Sequence, residues 1–136
     1  MSTFLLEIVT PERKVYAQDV NMIIAKGAEG ELGILPNHIP LVTPLRIAPV
    51  TVKKNGSRDE YIAVGGGFME VRKDKVVILA ETAELPEQID IDRAKSAKER
   101  AEQRLAAKKS DTDIRRAELA LQKALTRVDV FERRGQ

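Results

Sequence analysis

The sequence predicts an α+β fold in two parts. An N-terminal antiparallel β-sandwich spans residues 1–86, and a C-terminal antiparallel two-helix hairpin spans residues 87–136. All six prolines and seven of the eight glycines lie at or before Pro86. So do ten of the twelve valines. The fifty residues that follow contain no proline and repeat a vocabulary of Ala, Arg, Lys, Glu and Leu. Proline and glycine punctuate turns and β-branched residues suit a pleated surface, whereas alanine and long unbranched side chains lose little entropy in a helix. The seam itself carries a charged hexapeptide, Ile89-Asp90-Ile91-Asp92-Arg93-Ala94.

In the first part, Phe4, Leu6 and Ile8 alternate with Leu5, Glu7 and Val9, the period of two of a half-buried strand. Further strands are predicted at Val20–Lys26, Ile47–Lys53, Glu60–Gly65, Phe68–Arg72 and Lys75–Ala80. Turn signals separate them: Thr10-Pro11, Gly27 to Gly30, Lys54-Asn55-Gly56 and Lys73-Asp74. Asn-Gly is the strongest short hairpin signal because both residues tolerate positive φ. Short strands without intervening helices make an antiparallel sandwich or flattened barrel.

Two stretches break the pattern. Gly65-Gly66-Gly67 has no following Gly-Lys-Ser/Thr, so it is not a phosphate loop. It reads as a bulge or a close backbone approach within a sheet. From Gly30 to Leu41 the apolar residues are interleaved with Pro36 and Pro40, which remove ladder donors. Part of this stretch must leave the sheet as a stiff loop. An ordinary crossing loop and a rigid surface presenting Glu31 and His38 to a partner both fit it.

In the second part, Asp90 suits an N-cap, and Ile91 to Lys109 contains no helix breaker. Ala94, Ala97, Ala101 and Leu105 form its inner face. Ser110-Asp111-Thr112-Asp113 is a polar turn that also caps a second helix, running from Ile114 to about Phe131. Ile114, Ala117, Leu121, Ala124, Leu125 and Val128 mark its apolar stripe. Burying a leucine is worth about 1.5–3 kcal/mol and an alanine methyl under roughly 1 kcal/mol, so this hairpin is thinly held. Its helices are built from strong helix formers that survive unpacking, so it is expected to change pose without losing secondary structure.

Composition narrows the function. The chain has no cysteine and one histidine, which leaves neither a thiolate metal site nor a classical triad. The longest apolar run, Val76–Ala80, is far short of the roughly 20 residues that span a bilayer. Glu7 interrupts the first apolar stretch and no basic segment precedes it, so no signal peptide is expected and a soluble, cytoplasmic protein is. Residues 1–85 carry ten basic against eleven acidic side chains, and residues 86–136 thirteen against ten. That mildly basic tail suits an acidic protein surface or a polyphosphate better than nucleic acid, which asks for a concentrated basic stripe. The five aromatics are placed as core residues rather than as stacking platforms.

The hexapeptide has two readings. In one, Asp90 caps the first helix and Arg93 is a nearby surface charge. In the other, Arg93 and Arg100, seven apart, share a helical face, and Arg116, Lys123 and Arg127 recur at sevens and fours on the second helix. Antiparallel pairing then converges cationic heads suited to a triphosphate, with Glu84 and Asp90 as acceptors for an exocyclic amine.

Glu31-Leu32-Gly33-Ile34-Leu35-Pro36 with His38, Gly66-Gly67-Phe68 with Glu70-Val71, Ile89-Asp90-x-x-Arg93-Ala94, and Arg116-Ala117-Glu118 together resemble the ε-subunit family of bacterial F-type ATP synthases. The likeness is nearest to versions from Bacillus-like bacteria and covers essentially the whole chain. It implies a non-catalytic rotor-stalk protein, peripheral on the cytoplasmic face of the cell membrane through its complex. The sandwich would bind the γ subunit and sit on the c-ring, with Glu31 and His38 facing the ring. Asn37 stands where the family commonly has glycine. The resemblance further implies that the folded hairpin binds ATP as a regulatory ligand, with magnesium entering only through the nucleotide. The residues implied are Glu84, Ile89, Asp90, Arg93, Ala94, Arg100, Arg116, Lys123 and Arg127. Lys123 stands where close relatives carry arginine. Extended along γ, the hairpin would restrain ATP hydrolysis, presenting Arg115, Arg116, Lys123 and Arg127, with Arg133 and Arg134 beyond them, to the α and β subunits of the catalytic head. The alternative is an adaptor of the same architecture unrelated to ATP synthase.

Overall fold

A computed structural model describes residues 2–107 and 109–135. Eight strands come first: β1 (Phe4–Val9), β2 (Lys14–Val20), β3 (Met22–Gly27), β4 (Gly30–Ile34), β5 (Leu41–Lys53), β6 (Glu60–Val71), β7 (Lys75–Ala80) and β8 (Ala83–Glu84). A 3-10 turn at Pro86–Gln88 leads into α1 (Ile91–Ala107) and α2 (Asp111–Arg133). The order of neighbouring strands is β2-β1-β7-β6-β5-β3-β4, with β8 paired to β6. Every pairing is antiparallel except β1 with β7. That one parallel pair departs from the all-antiparallel reading. It brings the first strand back beside the last long one, where no hairpin turn is needed.

The sequence reading missed β2 and the short β4 and β8, cut β5 short and divided β6 in two. Val15 and Tyr16 are adjacent buried residues, and the stretch Ala17-Gln18-Asp19 is exposed, so β2 lacks clean alternation. β5 starts at Leu41, six residues before its predicted start, and Pro44 and Pro49 sit within it. β6 runs unbroken through the three glycines, in one register with β5 from Leu41–Val71 to Val52–Glu60. The glycines therefore mark close approach rather than a bulge. Gly66 and Gly67 take φ of 92° and 135°, and a Cβ on Gly67 would overlap the Leu79 carbonyl. The turn after β5 uses positive φ only at Gly56, at 77°, leaving Asn55 in an ordinary conformation. Between β4 and β5 the chain leaves the sheet over residues 35–40, as its prolines require. There Asn37 adopts φ of 65°, the left-handed region that asparagine tolerates nearly as glycine does. Its N–H donates to the Lys73 carbonyl at 3.0 Å and ties the loop to the β6–β7 turn.

The sandwich core gathers Leu6, Ile8, Ile23, Ile34, Met69 and Ile78, all fully buried, and draws no side chain from either helix. Phe4 and Tyr16 belong to it as expected, but Phe68 does not: it points outward and is 55% exposed.

The hairpin is folded against the sandwich. Asp90 caps α1, its Oδ1 accepting from the Arg93 N–H at 3.1 Å, and Ser110 Oγ caps α2 by accepting from the Asp113 N–H at 3.2 Å. Helix α1 ends at Ala107, and of the predicted continuation Lys108 lies outside the described residues. Between the helices the buried residues are alanines: Ala94 and Ala101 on α1, Ala117 and Ala124 on α2. Helix α2 also buries Thr126 and Val130, a second face that the single predicted stripe omitted. Thr126 is nine residues beyond Ala117, about 180° around the helix. Helix α2 thus lies between α1 on one side and β5 and β6 on the other. Leu125 belongs to neither face and is exposed.

Candidate functional site

The cationic rows fall on one flank of the hairpin. At about 100° per residue, Arg116, Lys123 and Arg127 lie within roughly 40° of one another, and Arg93 and Arg100 within roughly 20°. Near the tip, Arg100 and Arg116 face one cleft of about 570 Å³, joined by Arg104, Lys109 and Asp113. Near the base, Arg127 Nε donates to Glu84 Oε1, tying α2 to β8. Lys123 borders the same small gap with Glu84, Thr82 and Thr126. Arg93 is exposed on the first turn of α1, two turns before Arg100.

The nine implied nucleotide residues divide by burial. Ile89 and Ala94 are 7% and 4% exposed, the first against Ala63 and Val130, the second in the alanine seam. In this pose both are packing residues. The charged members lie along the flank, in a base group (Glu84, Asp90, Arg93, Lys123, Arg127) and a tip pair (Arg100, Arg116). Arg104 was absent from the predicted set, although it follows Arg100 by four and so shares its face. Lys109 was absent as well, and only the turn at residues 109–110 brings it to the cleft. Arg115 is exposed and points about 100° away from Arg116.

The residues singled out for a ring contact are placed apart. Glu31, the second residue of β4, lies opposite Lys26 and borders a groove of about 150 Å³ shared with Asp129 and Arg133 of α2. His38 lies in the 35–40 loop, its Nδ1 2.7 Å from the Ile39 carbonyl oxygen. That loop exposes two large apolar side chains, Leu35 at 56% and Ile39 at 75%.

A third surface escaped the sequence reading. Val9, Leu79, Phe68 and Pro44 are successive cross-strand partners on β1, β7, β6 and β5. Leu79, Phe68 and the nearby Val42 are more than half exposed. Alternation along each strand points them all away from the core, so they form an open apolar face. Beside it Glu7 is buried between Lys14 and Lys75, with both Nζ atoms 2.5 Å from its oxygens. Those two charge-assisted hydrogen bonds hold its carboxyl down at about 2. The outward alternation of Phe68 with Met69 was the available signal, obscured by the preceding glycines.

Among the described residues no helix is long and apolar enough to cross a membrane, and no group of acidic and histidine side chains is arranged to hold a metal ion.

The molecule is thus a β-sandwich carrying a two-helix hairpin, with an open apolar sheet face and a cationic helical flank. The chain belongs to the ATP synthase delta/epsilon chain family: the model of its β-sandwich domain matches residues 3–86 and that of its long α-helix domain residues 87–132. It is 59% identical to the ATP synthase epsilon chain of Brevibacillus brevis over 130 residues, 96% of this chain and 98% of that one. It is 57% identical to the ATP synthase epsilon chain of Halalkalibacterium halodurans over 134 residues, 98% of this chain and 100% of that one. In fold it is similar to a chain of the Euglena gracilis mitochondrial ATP synthase, with a TM-score of 0.79 at 23% identity, covering 93% of this chain and 79% of that one. The unrelated-adaptor alternative is thereby set aside.

Proposed function

We propose that the chain is the non-catalytic ε subunit of an F-type ATP synthase, joining γ and the c-ring to the catalytic head on the cytoplasmic face of the cell membrane. Near-complete coverage of relatives that carry the epsilon-chain name supports the stalk role. The open face around Phe68 and Leu79 offers γ an apolar docking area, and apolar patches rimmed by charge commonly mark protein interfaces. The 35–40 loop, with His38 between exposed Leu35 and Ile39, is a projecting surface that suits contact with the c-ring; Glu31 is the second candidate.

The hairpin is the regulatory part. Its folded form binds ATP on the cationic flank, and its extended form restrains hydrolysis through Arg115, Arg116, Lys123 and Arg127 against the α and β subunits. One observation carries the nucleotide reading: five cations of two helices share a flank that has Glu84 at its base. Arginines at that spacing suit the phosphates, and the carboxylates of Glu84 and Asp90 suit an amine on the base. Any magnesium would arrive on the phosphates. ATP at 100 times its dissociation constant stabilises the bound form by about 2.7 kcal/mol. That is comparable to what an alanine seam supplies, so nucleotide adds materially to the folded pose.

Calorimetry on the full chain tests the site: Asp90→Ala and Arg93→Ala should each weaken ATP binding, and unchanged affinity in both would remove the assignment. Truncation near residue 86 in the assembled complex should raise ATP hydrolysis; unchanged hydrolysis would sink the inhibitory role.

A further inference from the structure

The two ends of the hairpin are held very differently. At the tip, residues 109–113 are all exposed. At the base, the last turns of α2 are built into the sandwich. Val130 is fully buried against Ile89 and Ala63, with Tyr61 and Phe131 packed around it. The Arg133 guanidinium lies 5.4 Å over the Tyr61 ring and is held there by Asp129 at 2.8 Å. Arg134 lies 3.6 Å over Phe131, and Arg58, from the β5–β6 loop, donates to the Gly135 carbonyl. Here the C-terminal end is the best-anchored part of the hairpin.

We infer that Val130–Gly135, seated on Tyr61, Ile89 and Arg58, form a latch that holds the hairpin folded in the absence of any nucleotide. The alanine seam joins α1 to α2 but gives α2 no grip on the sandwich; that grip comes from Thr126, the Arg127–Glu84 pair and, most extensively, the side chains at its C-terminal end. Ile89 makes the latch more than an anchor. It is one residue from Asp90, which caps α1, so the latch and the first turn of the cationic flank move together. In this arrangement Ile89 acts by holding the pose rather than by touching a ligand. The inference rests on the reading above only in that the hairpin has a second, extended pose. The latch itself is distinct from the cationic flank: Phe131, Arg133 and Arg134 take no part in the proposed nucleotide site.

The chain has no native cysteine, so Glu12→Cys and Thr112→Cys place one spin label on the sandwich and one at the hairpin tip. Without nucleotide, the full-length labelled protein should show a dominant folded distance. Adding Val130→Ala with Phe131→Ala should shift the folded-to-extended ratio by at least about tenfold toward extension, because buried apolar volume is lost. Arg58→Ala should shift it less, in the same direction, without touching the apolar cluster. Far-UV circular dichroism should stay helical in both. An unchanged distance distribution in both variants would overturn the latch, and so would loss of helix in place of a change of distance. Adding ATP separates the two readings: restoration of the folded distance in the latch variants speaks for the nucleotide site. Its absence, with the latch shift intact, removes the nucleotide site and leaves the latch standing.

Discussion

Arg127 on the second helix donates to Glu84 on the last short strand, and this ion pair joins the helical hairpin to the sandwich. Each side chain is about one-third exposed. Solvent therefore screens the pair, and it is worth at most about 1 kcal/mol on its own. Its larger effect is to fix the direction of the guanidinium at the base of the cationic flank.

Glu84→Gln should leave the melting of the sandwich unchanged, because the sandwich core draws nothing from the helices. It should weaken ATP binding several-fold by freeing Arg127 and removing the carboxylate charge offered to the base's amine. Titration calorimetry and a thermal melt on one sample check both, and a parental affinity would take Glu84 out of the site.

Lys123→Arg should tighten ATP binding. A planar fork replaces a point charge at a position bordering Glu84 and Thr126, and bidentate contacts to phosphate are stronger than single ones. A gain of about 1 kcal/mol, or roughly fivefold, is expected. Weaker binding would place Lys123 outside the phosphate contacts.

Ala117→Leu should part the helices. Ala117 is fully buried in the seam, and overpacking such a position costs about 1–3 kcal/mol. Amide exchange in α1 should accelerate while the strands keep their protection. Equal protection before and after would mean that the seam is not what holds α1.

Gly67→Ala should disable the sandwich itself. The added Cβ meets the Leu79 carbonyl, and φ of 135° is strained for any residue with a side chain. A loss of at least about 3 kcal/mol is expected in denaturant unfolding. A variant as stable as the parent would show that β6 and β7 separate readily there.

Glu7 supplies a pH dependence. Its folded value of about 2 lies below the ordinary 4.5, so the stabilisation is present above the ordinary value and fades as pH falls toward 2. Glu7→Gln should therefore lower the melting temperature at pH 7, with the gap to the parent closing between about pH 5 and pH 2. A gap that persists at pH 2 would point to packing instead of charge.

Much of this was legible in the residues. The seam at Pro86, the cap at Asp90, the alanine faces of the helices and the stiff loop at Pro36 and Pro40 each follow from a local rule. Such rules act within a few residues, so a single sequence carries them. β2 was not legible because its pairing with β1 shifts register opposite Ile8 and Val9, so Val15 and Tyr16 are both buried. The second buried face of α2 was not legible because Thr126 and Val130 lie opposite the stripe that first declares the helix.

The cationic flank was half legible. Spacing placed Arg116, Lys123 and Arg127 on one side of a helix. Only antiparallel docking decided that Arg100 meets Arg116 at the tip, and only the path of the chain after β8 brought Glu84 to Arg127. The sequence by itself determined both helices and most of the strands, because hydrophobic period, capping and backbone freedom are local. The tertiary structure alone decided which faces meet, which stay open at Phe68 and Leu79, and where α2 is anchored. Those outcomes depend on contacts between residues tens of positions apart, and no periodicity along the chain encodes them.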